Sequence, residues 1–244
     1  MNSNIKIFVE DDYNTLSKKA AEIFACAVNR KPEGSFGFAT GSTPLGMYDE
    51  LKGMVKKSEL NFTKINAYNL DEYYPIKGSD NQSYKYFMAA NLFDEINLPK
   101  ENRFIPNGEA PDPIKECVEY EEKVTKASIE MQILGIGNNG HIGFNEPADY
   151  FAGATNYVEL AENTIEANAR FFEKLEDVPR FALTMGIHSI MMAKSILLLA
   201  SGEGKAQILK DSLFGKITPK VPASVLQLHC DVFIVADKAA AKYL

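Results

Sequence analysis

Short apolar runs alternating with stretches of helical period dominate this chain, and they leave few folds open to it. The predicted strands are Lys6–Glu10, Ser35–Thr40, Ile65–Leu70, Gln132–Gly137, Ser195–Ser201 and Val232–Ala236. Between the first two, Tyr13–Val28 places Leu16, Ala20, Ile23, Phe24 and Ala27 on one helical face. Leu45–Lys56, Ser83–Ile96, Pro113–Ala127 and Lys205–Phe214 also read as helices. Thr43 is placed to cap the second helix, and Pro44 suits its first turn. Strands that are apolar on both faces need cover on both, and intervening helices supply it when the strands run parallel. The expectation is an α/β chain with a central, mainly parallel sheet flanked by helices. No repeat or linker divides residues 1–244, which read as one domain. The polar segment from Tyr74 to Asn81 reads as a mobile loop over the site.

Size and charge narrow the function. A chain of 244 residues with 45% hydrophobic content can build one large core. A net charge of −7 disfavours a nucleic-acid or anionic-membrane partner, so an anionic ligand would need local Lys or Arg. The start, Met1 to Lys6, lacks the features of a signal peptide, and the longest apolar run, Ile196–Ala200, is too short to span a bilayer. Cys26, Cys117 and Cys230 are odd in number and widely spaced, and read as buried free thiols. The expectation is a soluble cytoplasmic protein without a metal site.

Chemistry concentrates at predicted strand ends. Residues 134–147 surround His141 with glycines and place Glu146 five residues later, before Pro147. A histidine and a carboxylate on one such turn can move protons, and glycines allow close approach of a small ligand. On spacing alone the segment reads equally as an ordinary glycine-rich turn. Gly41-Ser42-Thr43 offers amides and hydroxyls at a helix start, an anion site for one phosphate but not a Walker pattern. Asp71 and Glu72 follow a third strand; alternation lets only one of them face the site readily, and by themselves they read as a solvated acidic turn. Arg170 and Lys205 could complete a phosphate site, although each alone reads as a surface cation. His188 and His229 lie in apolar stretches and read as structural.

Taken together, Ala39–Pro44, Asn69-Leu70-Asp71-Glu72-Tyr73, Gly135–Pro147, Ala167–Phe172 and Pro222–His229 resemble the glucosamine-6-phosphate deaminase family. The resemblance spans Ala39 to His229. It implies a Rossmann-like fold with the site at the strand carboxyl ends and no cofactor. It implies a phosphorylated amino sugar as substrate, converted to fructose 6-phosphate and ammonia. Asp71 would shuttle the proton between C2 and C1. His141 would open the sugar ring, with Glu146 orienting and charge-balancing it. At the position of Asn139 the family often has Asp; an amide can orient imidazole but supplies no negative charge. Gly41, Ser42, Thr43, Arg170 and Lys205 would hold the phosphate, and Gly137 would line the substrate site. Hexameric members bind an activating sugar phosphate at positions that correspond here to Asp149, Asn156, Val158 and Glu159, two of them carboxylates. That pattern, with the chain stopping at Leu244 before the longer tail of the regulated members, implies no such activation and a monomer or small homo-oligomer. The nearest alternatives are a 6-phosphogluconolactonase, a galactosamine-6-phosphate isomerase, or a non-catalytic sugar-phosphate sensor. A sensor would usually carry an N-terminal helix-turn-helix, for which a strand starting near Ile5 leaves no room.

Overall fold

A computed structural model of the protein describes residues 4–162, 164, 165, 174 and 177–244. The strands are β1 (Ile5–Glu10), β2 (Ser35–Phe38), β3 (Asn66–Asn69), β4 (Asp71–Tyr74), β5 (Arg103–Phe104), β6 (Met131–Leu134), β7 (Asn156–Glu159), β8 (Phe181–Thr184), β9 (Ser195–Ala200) and β10 (Val232–Asp237). Seven of them form a sheet in the order β1-β10-β9-β6-β2-β3-β5, with every pairing parallel. The α/β expectation holds. All carboxyl ends of a parallel sheet lie on one edge. From β2 the chain builds outward through β3 to β5; from β6 it builds the other way through β9 and β10. The turn-around between β2 and β6 is the topological switch point, where open α/β sheets hold ligands.

Helices α1 (Tyr13–Arg30), α2 (Leu45–Lys56), α3 (Tyr84–Met88) and α4 (Pro113–Ala127) begin the cover on the sheet. Phe24 of α1 packs edge-on against Phe36 and Phe38 of β2, with ring centroids 5.3 and 5.4 Å apart. Asp112 caps α4 by accepting from the Ile114 and Lys115 amides, with Pro113 in the first turn. Three expectations need correction. Pro44, not Thr43, occupies the capping position of α2, and no side chain caps that helix. The single helix expected over Ser83–Ile96 is α3 followed by a π-helical turn, Ala89–Phe93. Within that turn the Asn91 side chain donates to the Phe87 carbonyl, competing with the backbone ladder. The third correction is Cys26 and Cys230, which are exposed; of the three free thiols only Cys117 is buried.

A second sheet was not legible in the sequence. β4, β8 and β7 form a three-stranded antiparallel ladder in which Asp71 lies opposite Thr184. The chain passes from β3 into β4 across Leu70 alone. The Leu70 amide donates to Phe38 O of the parallel sheet, and its carbonyl accepts from Met185 N beyond β8. Tyr73, Ile76, Phe144, Leu160, Ile165, Val178 and Ala182 form a small apolar cluster on this sheet. The segment from Tyr74 to Asn81 leaves β4 at the end away from Asp71 and is tied down, with Ile76 N donating to Gly108 O and Gly78 N to Glu109.

Candidate active site

Four turns line up at the carboxyl edge of the parallel sheet, following β9, β6, β2 and β3 in spatial order. They carry Lys205, His141, Gly41–Thr43 and Asp71. Neighbouring strands are about 4.8 Å apart, so adjacent turns lie within the span of one small ligand.

The histidine turn after β6 is held by its own backbone. Gly137 N donates to His141 O at 2.9 Å, and Gly140 N donates to Gly137 O at 3.0 Å. Gly140 and Gly143 have φ of +86° and +57°, which only glycine adopts readily. Gly137 serves a different need. A Cβ there would lie 2.2–2.4 Å from three atoms of the His141 ring, so the imidazole rests on the bare Cα. Gly137 therefore packs the histidine itself. The Pro222–His229 segment braces the same turn from below, with Ala223 N donating to Gly140 O at 2.8 Å. That gives the Pro222–His229 motif a packing role the sequence did not disclose.

Glu146 collects donors. His141 Nδ1 lies 3.3 Å from Glu146 Oε1, at the long end of hydrogen-bond range and without good alignment. Thr164 Oγ1 donates to the same oxygen at 2.5 Å, and Asn139 Nδ2 donates to Oε2 at 2.5 Å. Burial works against ionisation of Glu146, but the contacts from His141, Thr164 and Asn139 prevail and hold its carboxyl below its ordinary value. Asn139 was expected to orient the imidazole. Instead its amide nitrogen goes to Glu146, and its oxygen accepts from the backbone N–H of His141 at 3.2 Å. It orients the carboxylate, because the side chain of residue 139 lies along the turn and not over the ring.

Asp71 and Glu72 are both buried, at 5% and 1% exposure, so the acidic pair is not solvated. Alternation sends them apart, as expected. Glu72 accepts from the backbone N–H groups of Tyr73, Tyr84 and Lys85 at 2.7–2.9 Å, and so anchors the start of α3. Asp71 points toward the histidine turn: a Cβ on Gly143 would lie 3.5 Å from Asp71 Oδ2 and 3.0 Å from Thr184 Oγ1. Burial, with the neighbouring Glu72 charge a lesser cause, pushes Asp71 up to about 8. A carboxyl near that value can take or give a proton around neutral pH.

The turns expected to hold a phosphate are ordered as follows. Gly41 has φ +104° with open space around its Cα, and the α2 amides that follow lack a side-chain cap. Tyr13 holds this turn, its hydroxyl donating to Ser42 O and Thr43 O at 3.0 Å and accepting from Gly46 N at 2.9 Å. Lys205 Nζ donates to Asn138 Oδ1 at 2.6 Å, which ties the β9 turn to the histidine turn. Asn138 is a residue of this candidate site that the sequence reading did not single out; its place beside Asn139 in the glycine-rich run was the available signal. Asp237 fixes the approach to Lys205 by accepting from Ser201 Oγ and Gly202 N. Arg170 lies outside the described residues. His229 is packed as expected, its ring nitrogens against Asp231 O and Ala193 O, whereas His188 is exposed. No group of three or more His, Cys, Asp or Glu side chains able to hold a metal ion occurs among the described residues. No helix among them is long and apolar enough to cross a membrane.

Comparison with known proteins fits this arrangement. Residues 10–234 match the family described as glucosamine-6-phosphate isomerases/6-phosphogluconolactonase. The chain is 51% identical over 241 residues to a glucosamine-6-phosphate deaminase of Clostridioides difficile strain 630, covering 98% of this chain and 97% of that protein. It is 49% identical to the deaminase of Clostridium perfringens strain SM101, covering 98% of this chain and all of the other. Among solved structures, a monomeric glucosamine-6-phosphate deaminase superposes with a TM-score of 0.95 at 42% identity, over 98% of this chain and 100% of that one. A 6-phosphogluconolactonase from Trypanosoma cruzi has a TM-score of 0.77 at 19% identity, over 100% of this chain and 98% of that one, and shares the fold.

Proposed function

The chain belongs to the family of glucosamine-6-phosphate isomerases and 6-phosphogluconolactonases, and from that premise we propose that this enzyme converts glucosamine 6-phosphate and water to fructose 6-phosphate and ammonia. The observation that carries the choice is Asp71, a buried carboxyl held against the histidine turn. An amino sugar brings its own cation. The C2 ammonium beside Asp71 would favour the carboxylate and so arm the base on binding. A lactone brings no such charge, and its hydrolysis has no use for a base over C2. The relatives near 50% identity are deaminases, whereas the lactonases resemble the chain in fold alone.

In this reading His141 moves a proton to and from the ring oxygen and opens the pyranose to the aldehyde. The C1 carbonyl acidifies the C2 hydrogen, and Asp71 takes it as a proton, leaving an enolamine across C1 and C2. Asp71 returns the proton to C1, so the pair of electrons moves to make a C2 imine. Water adds at C2, and the nitrogen leaves as ammonia. Glu146 holds His141 throughout, with Asn139 holding Glu146. The phosphate rests on Gly41, Ser42, Thr43, Lys205 and Arg170, remote from the reacting carbons, and keeps the open chain in register. Gly137 acts here by seating His141. We read residues 1–244 as one domain that works in the cytoplasm, as a monomer or small homo-oligomer.

The test is direct. Purified protein given glucosamine 6-phosphate should release ammonia and fructose 6-phosphate in equal amounts, with no added metal or cofactor. Hydrolysis of 6-phosphogluconolactone in place of ammonia release would reject this reading and support the lactonase.

A further inference from the structure

Among the described residues, two of the three around the Glu146 carboxylate, Asn139 and His141, belong to the histidine turn. The third does not. Thr164 lies 18 residues downstream of Glu146, buried at 6% exposure, in a helical turn where Thr164 N and Ile165 N both donate to Ala161 O. Its neighbour Ile165 belongs to the apolar cluster of the small sheet, with Tyr73 and Phe144. Thr164 is thus fixed by the second layer of the molecule, and its hydroxyl reaches back to the oxygen of Glu146 that faces His141.

We propose that Thr164 is a positioning residue that sets how Glu146 addresses His141. The inference rests on the functional reading above. Oε1 has two lone pairs to place. One is taken by the Thr164 hydroxyl and the other is left toward Nδ1, while Asn139 fixes Oε2. Both the orientation of the carboxylate and the share of its charge felt by the imidazole depend on that division. Among the described residues, the titratable groups near Glu146 and His141 are each other and Asp71 across Gly143; Lys205 is tied to Asn138, next to Asn139. Removing the hydroxyl leaves Oε1 more basic and free to turn. Its charge then acts more strongly on the ring and favours imidazolium.

Thr164→Val keeps the shape and removes the donor, whereas Thr164→Ser keeps the donor and removes the methyl. For Thr164→Val, kcat should fall on the order of tenfold with KM within about twofold, as for other residues that orient a reacting group through a neighbour. The acidic limb of the kcat/KM profile should move to higher pH. Thr164→Ser should restore both. Thr164→Ala serves as the second donor-free variant if the valine does not fold. An NMR titration of the His141 ring, one of three histidines, reads the same change without turnover; its midpoint should rise in the donor-free variants only. Equal impairment of the serine and valine variants would make the role one of packing and overturn the proposal. So would an unmoved pH profile and His141 titration in Thr164→Val. Absence of ammonia release by the unaltered protein would instead reject the deaminase reading, with the His141 titration still deciding the role of Thr164.

Discussion

At the residue scale, the burial that suits Asp71 to its proposed role costs the protein stability. Its folded value near 8 lies far above the ordinary 3.8. Between those values the folded protein holds a proton that the unfolded chain has lost, so stability falls as pH rises through the window and stays low above it. Asp71→Asn removes the ionisation while nearly preserving shape. It should abolish C2 proton exchange and ammonia release. It should also melt higher than the unaltered protein at pH 8, by roughly 5–10 °C for a gain of a few kcal/mol, and about level with it at pH 4. Thermal melts across pH check this; a variant that melts lower at pH 8 would show that Asp71 carries no such penalty. The proposed activity and stability pull in opposite directions at this one carboxyl.

At the element scale, α2 owes its open start to α1. The Tyr13 hydroxyl makes three contacts with the Ser42–Gly46 turn, so two helices that pack together also hold the proposed phosphate seat. Tyr13→Phe keeps the ring and removes those bonds. KM for glucosamine 6-phosphate should rise several-fold with kcat nearly unchanged, since hydrogen bonds of this kind are worth about 1 kcal/mol each; a fall in kcat at constant KM would remove the turn from substrate binding. The main elements were legible in the sequence because their periodicities are strong: α4 runs Pro113–Ala127 as read. β7 and β8 were not, because Asn156–Glu159 is partly exposed and half polar, and Phe181–Thr184 is too short for its apolar residues to tell strand from helix. The opposed directions of Asp71 and Glu72 followed from strand alternation. Their burial did not, because it depends on the small sheet. Nor could the sequence show that Asn139 addresses Glu146, a matter of how one turn folds on itself.

At the scale of the whole molecule, the surface bears on regulation. Asp149 pairs with Lys220 at 2.6 Å and Glu159 is exposed. Of the four positions that resemblance assigns to an effector in hexameric relatives, Glu159 presents an exposed carboxylate, which repels a phosphate, and the Asp149 carboxylate is already paired with Lys220. Substrate kinetics should be hyperbolic, and N-acetylglucosamine 6-phosphate should not activate. Sigmoidal kinetics made hyperbolic by that compound would contradict this. Light scattering should give one or a few copies of the 27.1 kDa chain; a mass near six copies would refute the small-oligomer reading.

The single-residue link at Leu70 makes the identity of the proposed base a question of parity. Asp71 stands opposite Thr184 because one residue, and not two or none, separates it from the end of β3. Deleting Leu70 would slide the ladder by one step and seat Glu72 where Asp71 now stands, with a side chain one carbon longer. Tyr73 would inherit the place from which Glu72 anchors α3. Two adjacent acids thus hold offices that a count of odd or even assigns, and a one-residue shift would hand the first office to another carboxylate while leaving the second empty.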